Sequence, residues 1–297
     1  MPETDVRPMI DADVPSVRRI STRNRPSVNE RYSTLWKAGK FTGMYVVTVN
    51  RRVAGFGCVS YPRPAQAWLE GLMVDKRKRG LGLGTVLAER LLSQAAQDGA
   101  RVVRLSTAVA NAPMLHIFID KVGFRPTGRW LRVFGLPPTA FADWPYHPPG
   151  KTSPAEAWQF VAASPSYQSS PLLWTTPDDF TVQGQLTEPE LRKLINAKKY
   201  IAIRRDGALR GLILIGPVRQ QNAPPDSVRL LHISAASDLD FRAGLARAAR
   251  LAGKRGQTLA FMIPVPSDAV RRQLIRRAKA NRACWTELVI LEKWLRQ

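Results

Sequence analysis

The segment Leu72-Met73-Val74-Asp75-Lys76-Arg77-Lys78-Arg79-Gly80-Leu81-Gly82-Leu83-Gly84-Thr85-Val86-Leu87 constrains this 297-residue chain more than any other. An apolar run enters a basic turn with glycine at every second position, and a helical pattern leaves it. Glycine removes the side chains that keep an anion away from backbone N–H groups, and a helix N-terminus adds partial positive charge. The turn therefore reads as a cradle for a diphosphate. Two common phosphate loops are excluded. The glycines lack G-x-G-x-x-G spacing, and no acidic residue follows about 20 positions later at a strand end. The glycine-rich segment carries no GKS or GKT element.

The surrounding pattern is that of a mixed α/β domain. Val6–Ile10 reads as a strand, and Asp11 or Asp13 caps a helix reaching about Thr22. A second amphipathic segment spans Val28–Trp36. Met44–Val49 and Val53–Ser60 form a hairpin around Asn50-Arg51-Arg52, and Ala67–Val74 is the strand that feeds the glycine turn. The helix Gly84–Gln97 places Val86, Leu87, Leu91, Leu92 and Ala95 on one face and stops at Gly99. Val102–Thr107 is a strand, Pro113–Val122 a helix closed by Gly123, and Phe124–Phe134 a last extended stretch. Strand, glycine turn, helix, strand is a crossover unit.

These residues resemble the GNAT N-acetyltransferases, whose acetyl-CoA loop is written [RQ]-x-x-G-x-[GA]. Arg77-x-x-Gly80-x-Gly82 and Arg79-x-x-Gly82-x-Gly84 both match, and the second sets Val74 five residues before the arginine and Thr85 in the first helical turn. Asn111 stands where the family often has an asparagine near the pantetheine arm. Phe118-Ile119-Asp120-Lys121-Val122-Gly123-Phe124 resembles the family's tyrosine-x-lysine-leucine-glycine-phenylalanine ending. The resemblance covers most of residues 5–134. It implies acetyl-CoA as cofactor, held by Leu72, Met73, Val74, the loop Arg79, Gly80, Leu81, Gly82, Leu83, Gly84, Thr85, and Asn111 and Phe118.

The resemblance also implies transfer of an acetyl group to a primary amine of a small molecule, a protein or an aminoacyl-tRNA, by direct attack in a ternary complex. A lysine-like ammonium has a pKa near ~10.4, so about one in a thousand is neutral at pH 7 and a general base helps. Glu70 is the candidate, read as facing the same side as Leu72 two residues on; an ion pair with one of the many arginines is the alternative. The family's thiolate-protonating tyrosine has no counterpart. Counting back from Gly123 puts Ile119 in its slot, and counting forward from Asn111 puts Phe118 there. His116 and Tyr61 are the substitute donors. The rival class is a non-catalytic CoA-sensing or nucleic-acid-binding module on the same fold.

From Leu136 to about Pro171 prolines cluster, which reads as a linker with one short helix around Ala155–Ala162. The second half then repeats the order of the first: helix Glu188–Asn196, hairpin Tyr200–Arg204 and Leu209–Gly216, strand Val228–Ser234, helix Asp240–Ala252, strand Thr258–Val265, helix Asp268–Ala280, strand Trp285–Leu295. The expected organisation is two GNAT-like domains in tandem, 1–136 and 171–297, joined by 137–170. The second lacks a glycine loop: Asp238 and Asp240 stand where a diphosphate would, and would repel it.

Net charge is +22, which favours polyanions, though arginine-rich composition alone also produces it. Arg271, Arg272, Arg276 and Arg277 crowd one helix and read either as a solvated face or as a dock for tRNA or DNA. The two cysteines, Cys58 and Cys284, lie in apolar runs without metal spacing and read as buried, reduced thiols. No apolar stretch approaches the roughly 20 residues of a membrane span, and the N-terminus has no signal core, so a cytoplasmic protein is expected.

Overall fold

The computed structural model describes residues 3–24, 32, 36–37, 39, 43–164, 167–168, 174–175, 183–184, 186–216, 227–264 and 266–295. The segment expected at Val28–Trp36 lies, apart from Tyr32 and Trp36, outside the described residues. The elements are β1 (Thr4–Pro8), α1 (Val14–Asn24), β2 (Gly43–Val49), β3 (Arg52–Arg63), β4 (Gln66–Val74), α2 (Leu83–Gln97), β5 (Val102–Ala108), α3 (Ala112–Leu115) and β6 (Arg125–Leu136). There follow β7 (Pro149–Gly150), α4 (Pro154–Ala162), β8 (Trp174–Thr175), β9 (Gln183–Gly184), α5 (Glu188–Asn196), β10 (Tyr200–Arg205) and β11 (Ala208–Ile215). The last are β12 (Ser227–Ala235), α6 (Asp238–Lys254), β13 (Thr258–Pro264), α7 (Asp268–Ala280) and β14 (Cys284–Trp294). Among the described residues no helix is long and apolar enough to cross a membrane.

The chain forms two compact units, residues 1–127 with 290–297, and residues 128–289. In the first unit the strand order is β1-β2-β3-β4-β5, followed by the end of β14. The β1 to β4 pairs are antiparallel, and β4 and β5 are parallel. Asn50 and Arg51, at φ 48° and 62°, form the two-residue turn that joins β2 and β3 in register with their twist. Val17 and Ile20 of α1 pack with Met44, Val46, Phe56, Cys58 and Met73 on one face of the sheet. Leu87 and Leu91 of α2 are fully buried against Gly57, where an added Cβ would lie 2.7 Å from Leu91 Cδ1. Each such leucine contributes about 1.5–3 kcal/mol of burial.

The last strand position of this unit is held by residues from the chain's far end. Arg104 of β5, buried, donates from Nε to Glu292 Oε2 at 2.7 Å and from Nη1 to Gln66 Oε1 at 3.1 Å. Leu295 N–H donates to Arg101 O at 2.9 Å.

The second unit has strand order β7-β10-β11-β12-β13-β6, with β12 and β13 parallel and the remaining neighbours antiparallel. Helices α6 and α7 bury Phe241, Leu245, Val270 and Leu274 in one core, and α4 and α5 bury Val161, Leu191 and Ile195 in another. The order hairpin, strand, helix, parallel strand, helix repeats that of the first unit.

Two expected boundaries shift. Residues 128–136 belong to the second unit, with Leu131, Val133 and Leu136 in its core, and residues 290–297 to the first. Within the expected linker 137–170, Phe141, Trp144, Ala157 and Val161 are buried in the cores of the second unit. Pro154 opens α4 directly after Ser153, whose Oγ accepts from Glu156 N–H at 3.2 Å, and a proline at the first helical position forfeits no hydrogen bond. Cys58 is buried as expected, but Cys284 is exposed because it opens β14 outside the cores.

Candidate active site

Strands β4 and β5 pair only at Gln66–Val102, Ala67–Val103 and Trp68–Arg104. Beyond Trp68 they part, and a cleft of about 690 Å³ opens beside the backbone from Leu69 to Val74. A bulge accompanies the parting. Glu70 pairs with Cys58 and Met73 with Phe56, so Gly71 and Leu72 together face Gly57. Gly71 has φ +68°, and a Cβ there would lie 2.5 Å from Tyr32 Cε1. Both conditions call for glycine.

The bulge breaks the alternation of β4. Directly opposed residues share a face, so Glu70 lies on the α1 side with Cys58, and Met73 on the same side with Phe56. Leu72 and Val74 turn to the other side, each with a methyl 3.9 Å from a Cβ built at Gly84. The expectation that Glu70 and Leu72 face one way fails for this reason, and Met73 offers the cleft its backbone while its side chain is in the core. The cleft is reached from both faces: Tyr32 and Glu70 line it on the α1 side, Gly84 and Ile117 on the other. Tyr32, buried and edge-on to Phe56 at 5.3 Å, had no sequence signal, because only the bulge brings it to the site.

The glycine loop follows β4. Asp75 caps the turn by accepting from Arg77 N–H at 3.0 Å. Gly80 (φ +82°) and Gly82 (φ +71°) take left-handed backbone with open space where a Cβ would be. Gly82 is the N-cap of α2, its carbonyl accepting from Thr85 and Val86 N–H. The N–H groups of Leu83 and Gly84 precede any helical acceptor. Arg79, Gly80, Gly82, Leu83, Gly84 and Thr85 all line the cleft. Leu81 does not: set between two left-handed glycines, its side chain is 53% exposed. Arg79 lines the cleft and Arg77 does not. Gly84 has a packing role as well, since a Cβ there would sit 2.8 Å from Ile117 Cδ1.

Asn24, at the end of α1, is a cleft residue that sequence reasoning missed. Its Nδ2 donates to Val74 O at 3.1 Å and its Oδ1 accepts from Arg79 Nη2 at 2.8 Å. One side chain thus ties α1 to both ends of the loop.

Asn111 and Thr107, hydrogen-bonded at 3.1 Å, line the far wall. Helix α3 then continues as a π-helical turn, His116–Lys121, with Val122 N–H donating to Ile117 O five residues back. A π turn accommodates one extra residue, which is why counts from Asn111 and from Gly123 disagree by one. Phe118 lines the cleft, 1% exposed, edge-on to Phe124 at 5.1 Å, and carries no exchangeable proton. His116 also lines the cleft, with Nδ1 2.7 Å from Asp120 Oδ2. Tyr61, the other expected donor, is engaged elsewhere. It does not line the cleft, its hydroxyl donates to Asp98, and burial followed by that bond pushes its pKa well above the usual phenol value.

In the second unit the corresponding strand end runs almost directly into α6. Ser237 caps the helix, and Asp240, buried, accepts from the Ser237 hydroxyl at 2.5 Å with Arg205 and Arg210 each 3.7 Å away. Carboxylate occupies the helix N-terminus. The four basic residues singled out on α7 are not equivalent. Arg271 bridges Asp268 and Glu287, and Arg277 forms a bidentate pair with Asp143, so both are tied within the unit. Arg272 and Arg276 are exposed, with no ion pair to another described residue. Among the described residues no group of three His, Cys, Asp or Glu side chains is placed to hold a metal ion.

The sequence profile of the acetyltransferase (GNAT) family matches residues 14–124. This chain carries a GNAT acetyltransferase domain. The match runs from the start of α1 to Phe124 and takes in the bulge, the glycine loop and α3. The mixed sheet is likewise that of solved GNAT structures. A GCN5-related N-acetyltransferase from Sphaerobacter thermophilus is 14% identical over 99% of this chain and 96% of its own, with a TM-score of 0.61. One from Kribbella flavida is 12% identical over 99% and 71%, with a TM-score of 0.50. No curated protein matches the sequence. The enzyme class is acetyl-CoA-dependent N-acetyl transfer. The donor set fits that molecule: a loop with left-handed glycines and free helix N–H groups suits a diphosphate, and the unpaired edge of β4 suits an amide-bearing arm.

Proposed function

We propose that the GNAT domain acetylates a primary amine by direct attack, with the two substrates entering the cleft from opposite faces of the sheet. The observation that carries this reading is the bulge at Gly71, which turns Glu70 toward the α1 side and Leu72 and Val74 toward α2. Acetyl-CoA supplies the thioester when bound. The loop from Arg79 to Thr85 holds its diphosphate, with Leu81 contributing backbone alone. The backbone of Leu72 and Val74 with Asn111 orients the arm and polarises the thioester carbonyl.

Glu70 takes a proton from the incoming ammonium, directly or through water. A balancing proton goes to the leaving sulfur from water or from His116, which Asp120 orients; Phe118 has none to give. The acceptor is an amine of a small molecule, a protein or an aminoacyl-tRNA. The second unit is a degenerate copy of the same fold, with Asp240 where the loop would lie. The absence of a hydroxyl at Phe118 supports a second reading, a CoA-sensing module without turnover.

A CoA-release assay across a panel of amines separates the two. Glu70→Gln is expected to lower kcat by ~10²–10⁴-fold while acetyl-CoA affinity stays within about twofold. Gly82→Glu, which puts a carboxylate in the anion cradle, is expected to abolish binding of one acetyl-CoA per chain by calorimetry. Intact binding with no turnover of any amine would favour the sensor; Glu70→Gln turnover at the parent rate would remove Glu70 from the mechanism.

A further inference from the structure

The charge of this chain is not spread evenly. Between Phe241 and Arg282, 42 residues hold eleven Lys and Arg and a single acidic residue, Asp268, against a total of +22 for the whole chain. This stretch contains β13, α7 and all of α6 beyond its first turn, where Asp238 and Asp240 stand. The two helices bury their apolar sides in one core of the second unit, so their cationic sides share one face. None of the eleven cations is buried.

On α7, Arg272, Arg276 and Lys279 are exposed at helical spacings of four and three, one stripe along the helix. On α6, Arg247, Arg250 and Lys254 form a second stripe, at spacings of three and four. Tyr146, 40% exposed, lies on it: the Arg250 guanidinium stacks 3.9 Å from its ring centre, and Arg247 Nη1 donates to its hydroxyl at 2.8 Å. The segment carrying Tyr146 is fastened to α7 by Arg277, which stacks on Trp144 and pairs with Asp143. The opposite face is balanced. Helices α4 and α5 carry Glu156, Glu188 and Glu190 against Arg192 and Lys193.

Uncompensated like charge on packed helices costs folding free energy through self-repulsion. Arginine-rich composition alone raises charge everywhere and does not segregate it. The arrangement, two cationic stripes linked by a segment whose exposed aromatic ring is braced by arginines, matches a polyphosphate chain and its bases. We propose that the α6–α7 face of the second unit binds the phosphate backbone of a nucleic acid. Arg250, Lys254, Arg272, Arg276 and Lys279 supply the contacts, Tyr146 is a stacking platform, and Arg271 and Arg277 hold the face together. The proposal does not depend on the acetyl-transfer chemistry.

Fluorescence anisotropy with short duplex DNA, duplex RNA and single-stranded RNA tests it on the full chain. Five contacts on duplex DNA make log K fall by about 4.5 per decade of salt, about 0.9 for each phosphate. The double variant Arg272→Glu/Arg276→Glu removes two contacts, so the slope drops by about 1.8 and affinity at low salt by more than about tenfold. Both residues are exposed; unchanged circular dichroism and acetyl-CoA binding verify the fold. Lys193→Glu/Lys199→Glu, on and just after α5, is expected to leave affinity within about twofold. Absence of binding at about 50 mM salt, an equal loss in the α5 variant, or displacement of the probe by polyglutamate at equal charge would each overturn the proposal. The three probes decide which nucleic acid is preferred.

Discussion

Replacing Gly71 by alanine tests the bulge on which the site depends. The substitution has two costs. An alanine at φ +68° pays the left-handed backbone penalty, about 1–2 kcal/mol. Its Cβ would also stand 2.5, 2.9 and 3.1 Å from three carbons of the Tyr32 ring, and ring and strand must shift at a further cost of about 1–3 kcal/mol. Gly99 is the internal control. It has φ +80° at the end of α2 with nothing within 4 Å of a built Cβ, so Gly99→Ala carries the backbone cost alone. Denaturant unfolding of both variants should show Gly71→Ala destabilised by about 2–5 kcal/mol and Gly99→Ala by about 1–2, the difference being the steric part. Because Glu70 and Leu72 flank Gly71, an ångström of displacement should lower kcat by on the order of 10²-fold, while Gly99→Ala turns over normally. Equal destabilisation of the two variants, with unchanged turnover in both, would refute the reasoning.

Three further outcomes follow from other contacts. Glu292→Gln leaves the Arg104 guanidinium, 5% exposed as a residue, without its carboxylate, and should lower the unfolding free energy by about 3–5 kcal/mol in denaturant titrations, with Arg104→Met/Glu292→Met recovering much of it. Asp13 accepts from Arg7 at 2.7 and 2.9 Å and from Ile10 N–H at 3.0 Å; the Arg7 bond above all holds its pKa below the usual carboxylate value. Its contribution is complete above an unfolded pKa near ~3.9 and is lost as pH falls through the lower folded value, so Tm should decline there in the parent and less steeply in Asp13→Asn. Asn24→Ala frees Arg79 and should raise the KM for acetyl-CoA roughly two- to tenfold with kcat little changed, read from initial rates at saturating amine.

The glycine loop was legible in the sequence because its requirement is local. Gly80 and Gly82 take left-handed backbone and Gly82 caps α2, conditions set within a few residues of one another. The same holds for the hairpin turn at Asn50–Arg51 and for Pro154 at the start of α4. What the tertiary structure alone decided depends on distant partners. Alternation along β4 gave the wrong face for Glu70, since a bulge is a property of two strands in register and not of one. Asn24 and Tyr32 reach the cleft only through packing, and Leu81 leaves it by the turn of its neighbours. Prolines at 137–154 look like a linker in sequence because proline disfavours helix interiors and central strands, yet Pro138 begins a short helical turn whose Phe141 is buried and Pro154 begins α4, whose Ala157 and Val161 are buried. The assignment of residues 128–136 and 290–297 to opposite units followed the same rule. An apolar strand announces that it will be buried, but hydrogen bonds and contacts across the fold determine beside which strand it is buried.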